Sequence, residues 1–462
     1  MKKLAIVITD GVGFRNFVLS DFLPEAQRRF GEVVILSFLP AAIYKGITDC
    51  RVIELVAMEE TFKTWFFRKA KELAHLQLHK PNNFGIGDNL KTNSSKSKTP
   101  RGHATRLLLR WTSRFHTERW IGRYTRLQQR TFKNHSITKS YQELLEEENF
   151  NLLFFTHQRP PFVAPLVYLA QKMQLRTCSF IFSWDNLASK GRMAADFDLY
   201  LVWSELMKQD LMHFYPTTDE STIKIVGTPQ FEPYVLERYA MDKAAFMERF
   251  RLDPLNKTLC FSCGDISTSR NDELYIEIIA EAVKDGSLPD VNVIVRTSPA
   301  EDPVRFKQLA EKYPFLHWNY PDWRLSREKH QETWSQRVPS IADVKDLRAL
   351  LEHSDLNINM LSTMSLDFML FDKPVINPVF GNDSNGLYND GRFLKYAHIE
   401  NVLDSKATRI ATNKKELLEA ITYYLENPEA DKVNRKALVA LEIGCPLEGT
   451  GERIAKQLLE WV

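Results

Sequence analysis

Leu4-Ala5-Ile6-Val7-Ile8 is an unbroken apolar run that stops at Thr9-Asp10 and gives way to Gly11-Val12-Gly13. So short a run before a glycine turn predicts a strand buried on both faces, and such strands belong to parallel sheets covered by helices. A helix over 14–29 and a second buried-type strand, Glu32–Phe38, complete the opening of a parallel α/β domain. The alternation returns with strand Asn151–Thr156, a helix near 163–173, strands Thr177–Ser183 and Leu199–Ser204, and a helix from Glu205. It begins afresh with strand Thr258–Cys263, helix Asn271–Asp285, strand Val291–Arg296 and helix Val304–Tyr313. Helix 343–353, strand Leu356–Asn359, helix 363–371 and strand Pro374–Ile376 follow. The expected fold class is therefore α/β, with two successive units of parallel-sheet type. The turn Gly227-Thr228-Pro229 sets the boundary, giving domains over 1–228 and 229–445 and a terminal segment over 446–462.

Composition narrows the setting. The 462 residues carry 61 Lys+Arg against 59 Asp+Glu, a formal charge of +2, with 44% hydrophobic residues. This is the balance of an ordinary soluble chain with room for two or three cores. No apolar run approaches the roughly 18 residues of a membrane span. Met1-Lys2-Lys3 is followed by only five apolar residues before Thr9, so no secretory signal is expected. Cysteines scattered at 50, 178, 260, 263 and 445 predict a reducing, cytoplasmic home. The lone C-x-x-C of Cys260 and Cys263 falls inside a strand and is read as packing.

The near-neutral total conceals an asymmetry. Residues 79–140 hold 14 Lys+Arg and two acids, Asp88 and Glu118, so this insertion is +12 and the remainder −10. Residues 85–102 read as a loop, whereas Ala104–Phe132 has helical apolar spacing. Arg106, Arg110 and Arg114 recur every four residues, and Arg119, Arg123, Arg126 and Arg130 continue the ridge. Interleaved Trp111, Phe115, Trp120 and Tyr124 give it the character of a contact with an anionic membrane surface; packing of those rings on the core is the alternative. No nucleic-acid-binding motif is present.

Ligands of open α/β sheets bind beyond the carboxyl ends of the strands. In the first domain these positions offer Asp10, Gly11, Gly13, Arg15 and Asn16, then His157, Gln158 and Arg159, then Ser183, Trp184, Asp185 and Asn186. His157 is the expected general base, with Asp10 and Asp185 as carboxylate alternatives. Gly11, Gly13, Arg15, Asn16, Arg159, Trp184 and Asn186 are the expected binding contacts of this set, and the likeness described below implies an acceptor as their ligand. The second domain offers Ser267, Thr268 and Ser269, then Arg296, Thr297 and Ser298, then Ser362, Thr363, Ser365 and Asp367. Hydroxyls and free amides at strand-to-helix turns suit a diphosphate, and Arg296 would add a fixed positive charge. Asp196-Phe197-Asp198 has the D-x-D form of a metal-diphosphate site but precedes its strand instead of following it, so no metal site is read there. Gly11 and Gly13 lack the third glycine of a dinucleotide fingerprint.

The stretches Phe182-Ser183-Trp184-Asp185-Asn186-Leu187-Ala188-Ser189-Lys190-Gly191, Val226–Phe231, Arg296-Thr297-Ser298-Pro299 and Asn359–Ile376 carry a family likeness. With them the chain resembles GT-B glycosyltransferases of bacterial surface-polysaccharide synthesis, near the UDP-glycosyltransferases and CDP-glycerol glycerophosphotransferases. The resemblance implies two Rossmann-like domains facing a cleft, acceptor in the first and nucleotide-sugar donor in the second. It also implies a last helix, Glu452–Leu459, returning to the first domain, and no metal or other cofactor. By position, Ser362, Thr363 and Ser365 would meet the donor phosphates, with Arg296 and Ser298 at the nucleotide or phosphate.

Arg296-Thr297-Ser298-Pro299 lacks the histidine that glycerophosphotransferases carry before this proline, which points away from polyol-phosphate transfer. The Glu-rich ribose motif of retaining enzymes is also absent, so inversion is expected. The function expected is sugar transfer from a nucleotide sugar to a glycan or lipid-linked glycan at the inner membrane face. The alternatives are a UDP-sugar 2-epimerase, a glycerophosphotransferase-like enzyme, or a non-catalytic scaffold.

Overall fold

The apolar runs form strands because both faces of each are covered: five of the six residues of β1 (Lys3–Ile8) are buried. The computed structural model describes residues 2–328, 330, 332–381 and 390–462. The chain forms two compact units, one of Met1–Glu232, Tyr396–His398 and Glu442–Val462, the other of Pro233–Lys395 and Ile399–Leu441.

The first unit is built on β1, β2 (Glu32–Ser37), β3 (Arg51–Glu54), β4 (Leu152–Phe155), β5 (Arg176–Phe180), β6 (Leu199–Val202) and β7 (Ile223–Ile225). All pairings are parallel, in the order β3-β2-β1-β4-β5-β6-β7. Strand order reverses between β1 and β4, where Leu4 lies opposite Leu152 and Val7 opposite Phe155. That pair is the topological switch point, where a crevice opens at the carboxyl ends. Beneath it, Phe17 meets Phe22, Phe154 and Phe180 edge to face at centroid distances of 5.3, 5.3 and 5.4 Å.

The helices α1 (Gly11–Val18) and α2 (Phe22–Arg29) link β1 to β2. Between β3 and β4 come α3 (Phe62–His79), α4 (Phe84–Thr92), α5 (Pro100–Thr112), α6 (Glu118–Phe132) and α7 (Ser136–Glu148), and α8 (Ala164–Lys172) follows β4. One reading of this segment is corrected. Residues 85–102 are not all loop: Asn83 accepts from the Ile86 amide at 2.9 Å and starts α4. The helical spacing over Ala104–Phe132 is carried by two helices, α5, which Thr99 caps through Gly102 N at 3.2 Å, and α6, with the chain turning at 113–117 between them.

The last helix, Thr450–Trp461, lies in this unit against α2. A Cβ at Gly451 would fall 2.3 Å from Phe22 N, so only glycine permits this approach. The fully buried Glu232 carboxylate accepts from Asp21 N at 3.1 Å and Gly451 N at 2.8 Å, closing the junction.

The second unit comprises β8 (Lys257–Ser262), β9 (Val291–Arg296), β10 (His317–Asn319), β11 (Trp323–Leu325), β12 (Arg337–Pro339), β13 (Leu356–Ile358), β14 (Val375–Pro378) and β15 (Arg409–Ala411). Six strands form a parallel sheet, order β10-β9-β8-β13-β14-β15, while β11 and β12 make a separate antiparallel pair. Its switch point lies between β8 and β13, over a core that includes Phe261, Tyr275, Ile279, Val293 and Ile358. Cys260 and Cys263 are buried in and just beyond β8, and burial pushes the Cys260 thiol up to about 12. Among the described residues no helix is long and apolar enough to cross a membrane.

Candidate active site

At the first switch point the loops leaving β1 and β4 place Asp10 against His157. Asp10 has extended backbone angles and caps α1, accepting from Gly13 N at 2.8 Å through Oδ1. Its Oδ2 accepts from Thr9 Oγ1 at 2.7 Å and lies 2.9 Å from His157 Nδ1. A Cβ on Gly13 would meet Thr156 Oγ1 at 2.8 Å, so glycine is what lets α1 begin this close to β4. The His157 ring stacks on Phe182, which follows β5, at 3.8 Å and 12°.

The electrostatics favour a neutral imidazole beside a carboxylate. Burial lowers the His157 pKa, outweighing the hydrogen bond and charge of Asp10, which raise it. For Asp10 burial opposes ionisation, but the His157 bond and charge, the Gly13 amide and the Thr9 hydroxyl together hold the carboxyl below its ordinary range. With Asp10 ionised, Nδ1 carries the proton and Nε2 becomes the basic nitrogen, the tautomer a general base needs.

A second network flanks the pair. Gln158 donates to Asn186 Oδ1 at 3.0 Å and accepts from Phe182 N at 3.1 Å, while Asn186 donates to Asp185 Oδ1 at 3.1 Å. Asp185 pairs with Lys190 at 3.2 Å. Burial opposes its ionisation, yet Lys190 and His398 hold its pKa well below the usual range. Trp184, 7% exposed, meets the His398 ring edge to face at 5.2 Å. Burial pulls His398 down to about 4 against the attraction of Asp185. Arg159 donates to the Gly191 carbonyl at 3.1 Å, and Arg15 donates to Asn16 Oδ1 at 3.1 Å. Gly11, Gly13 and Asn16 are buried, whereas Arg15 and Arg159 are half-buried.

In the second unit the expected donor residues divide into two groups. Arg296 is 5% exposed and committed to Asp343, 3.0 Å away, and to the side-chain Oδ1 of Asn319. The fixed charge expected for a phosphate is thus spent on a buried ion pair. Ser298 accepts from Ala300 N at 3.2 Å. Ser365 joins Asn359 and Asn377, at 3.1 and 3.2 Å, and Asp367 accepts from the Tyr234 hydroxyl. These four are buried.

Ser267 and Thr268 are exposed, but both hydroxyls face Asp265, a carboxylate that would repel a phosphate. Ser362 and Thr363 are half-buried after β13, beside the switch point. Ser362 N donates to Asn359 Oδ1 at 2.7 Å, and its Oγ accepts from Met364 N at 3.3 Å. The helix they precede is only Met364–Met369, shorter than the 363–371 expected.

Asp198 of the D-x-D stretch accepts from Thr177 N at 2.8 Å and Thr177 Oγ1 at 2.7 Å, tying β6 to β5 at their amino ends. On the basic insertion, Arg110, Arg114 and Arg119 are exposed. Arg106 donates to the Ser95 and Ser97 carbonyls at 2.9 and 2.8 Å, and Arg123 covers Trp120 at 4.3 Å. The rings pack on one another at tilted angles, Trp111 on Phe115 at 4.5 Å and Phe115 on Trp120 at 4.7 Å, yet Trp111 stays 47% and Leu107 59% exposed.

Sequence reasoning missed His398, which no strand-end pattern marks because it arrives from a distant segment. It also missed the pair His75 and His79, whose i, i+4 spacing was a readable signal once α3 is taken as a helix.

No protein-family model matches the chain, and no curated protein matches it. Among solved structures it is similar to S. aureus MnaA with UDP, at 10% identity and a TM-score of 0.55, covering 100% of this chain and 97% of that one. It is similar to a putative UDP-N-acetylglucosamine 2-epimerase from Listeria monocytogenes at 10% identity and TM-score 0.56, over 100% and 98% of the two chains. A glycosyltransferase from Rickettsia africae matches at 11% identity and TM-score 0.51, over 99% of each chain. These likenesses concern the fold, and the two Rossmann-like units of this chain are those of the GT-B class.

Proposed function

We propose that the chain is an enzyme acting on nucleotide sugars, and specifically a metal-independent, inverting glycosyltransferase of bacterial surface-polysaccharide synthesis. The observation that carries the reading is the buried His157–Asp10 pair at the switch point of the first sheet, 2.9 Å from nitrogen to oxygen. His157 Nε2 takes the proton of an acceptor hydroxyl, that oxygen bonds to the anomeric carbon, and the bond from that carbon to the nucleoside diphosphate breaks. The proton ends on His157, where the Asp10 carboxylate stabilises the imidazolium. Ser362 and Thr363, with the backbone amides of their turn, are the groups of the second unit assigned to the departing diphosphate.

The acceptor fitting this reading is a glycan or lipid-linked glycan at the inner face of the cell membrane. The exposed Arg110, Arg114 and Arg119 beside the partly exposed Trp111 support contact with anionic lipid. A second reading, UDP-sugar 2-epimerisation, is favoured by the names of several structural neighbours, among them the Listeria protein and a Neisseria meningitidis UDP-GlcNAc 2-epimerase bound to UDP-GlcNAc. Incubation with nucleotide sugars, with and without a lipid-linked glycan extract, separates the two. Transfer requires the acceptor and is lost in His157→Ala while nucleotide binding persists. Accumulation of an epimer without any acceptor refutes transfer.

A further inference from the structure

His75 and His79 lie one turn apart on α3, and Glu118 opens α6. The two helices run antiparallel: Thr64, near the start of α3, donates to Thr131, near the end of α6, at 2.9 Å. That pairing brings the end of α3 to the beginning of α6. One ligand-type atom from each of His75, His79 and Glu118 falls within 4.8 Å of the others. None of these residues belongs to the His157–Asp10 group.

His75 is 0% exposed, and neither ring nitrogen has a hydrogen-bond partner. A buried polar group left so is destabilising, which asks for an explanation. His79 Nε2 is also buried and unpartnered, while the Phe214 backbone hydrogen-bonds the same ring. Histidines that bind metal are oriented in this way, one nitrogen on a backbone carbonyl and the other on the ion. Arg192 holds Glu118 Oε1 at 2.9 Å, so the carboxylate is likewise oriented by an outer partner. Arg192 is itself offset by Asp196, 3.6 Å away, and lies over the Tyr215 ring at 4.3 Å.

We propose that His75, His79 and Glu118 form a binding site for one divalent transition-metal ion of the zinc class. Two imidazoles and a carboxylate are a ligand set that zinc accepts, with a fourth position left to water. Zinc bonds of about 2.0–2.2 Å space tetrahedral ligands roughly 3.3–3.5 Å apart, so small side-chain rotations close the set. The ion would staple α3 to α6 and so fix the basic helical insertion to the first sheet. It takes no part in sugar transfer, and the proposal is independent of the reading of the active site.

The test uses the full chain without a histidine tag, stripped with EDTA and reloaded with zinc chloride or cobalt chloride. The expected result is one zinc per chain retained through gel filtration, a tetrahedral cobalt absorption band and a raised Tm. His79→Gln and Glu118→Gln keep size and polarity, and each should weaken zinc binding by at least ~100-fold, beyond the ~10–100-fold that loss of an outer partner costs. Far-ultraviolet dichroism of metal-free wild type and variants checks that all are folded, and reloading of wild type stands alone should a variant fail. Wild type that retains no stoichiometric zinc, or folded variants that retain as much as wild type, would overturn the site.

Discussion

Asp10→Asn perturbs the His157 pair without changing its size. Asp10 is fully buried and receives hydrogen bonds from His157 Nδ1 at 2.9 Å, Gly13 N at 2.8 Å and Thr9 Oγ1 at 2.7 Å. An Asn retains one carbonyl oxygen for the Gly13 cap but turns an amide donor toward the other two donors. Two charge-assisted bonds worth ~1.5–3 kcal/mol each are lost, and no longer burying a carboxylate offsets part of that. The net destabilisation is about 3 kcal/mol, or roughly 6–12 °C in Tm at ~2–4 °C per kcal/mol for a unit of this size.

The pH dependence has a definite sign. The folded pKa of Asp10 lies below the 3.8 of a free aspartate, so its stabilisation is present above that pH and lost as pH falls through the folded value. His157 is depressed below 6.5, so its contribution is complete above that pH and declines as pH falls toward the folded value. The variant lacks the partner that raises the His157 pKa, so its loss between these limits is larger than that of wild type. Below them the Asp10 limb is missing. Asn also donates to Nδ1, moving the ring proton to Nε2, and turnover should fall by ~10²–10⁴. Thermal unfolding scans across this pH range, with dichroism detection, are the assay. An unchanged Tm at neutral pH together with an unchanged acid slope would refute the reasoning.

Gly13→Ala places a Cβ 2.8 Å from Thr156 Oγ1 and should cost about 1–3 kcal/mol; the Thr156→Ala double variant should recover part of it in urea unfolding. Asp343→Ala leaves Arg296 buried without its carboxylate and should cost about 3–5 kcal/mol, read as a lower urea midpoint for the second unit. Changing Arg110, Arg114, Arg119 and Arg123 together to Gln should abolish sedimentation with anionic liposomes at unchanged Tm; undiminished sedimentation would count against the membrane contact.

The sheets were legible because Leu4–Ile8, Leu152–Phe155 and Val293–Val295 are apolar throughout, a pattern buried strands need. Short edge strands such as Ile223–Ile225 and Arg409–Ala411 carry too few residues to show a period. Helix α3 went unread because Lys and Arg interrupt its apolar face, Lys71 being buried against the Ala194 carbonyl at 2.7 Å. Strand-end reasoning named both His157 and Asp10 because both follow apolar runs directly. It also named Arg296, whose commitment to Asp343 is a tertiary pairing across 47 positions that no local pattern announces. The turn hydroxyls at 267 and 268 were legible, but their orientation toward Asp265 depends on the course of the loop.

Thermal shift against UDP-, GDP-, CDP- and TDP-sugars asks whether the proposed action on nucleotide sugars holds. At a concentration ~100 times the Kd a ligand adds about 2.7 kcal/mol to the state that binds it, roughly 5–10 °C at ~2–4 °C per kcal/mol. At least one nucleotide sugar should give such a rise, and the rise should be lost in Ser362→Ala combined with Thr363→Ala. No rise with any member of the panel would contradict the proposed action.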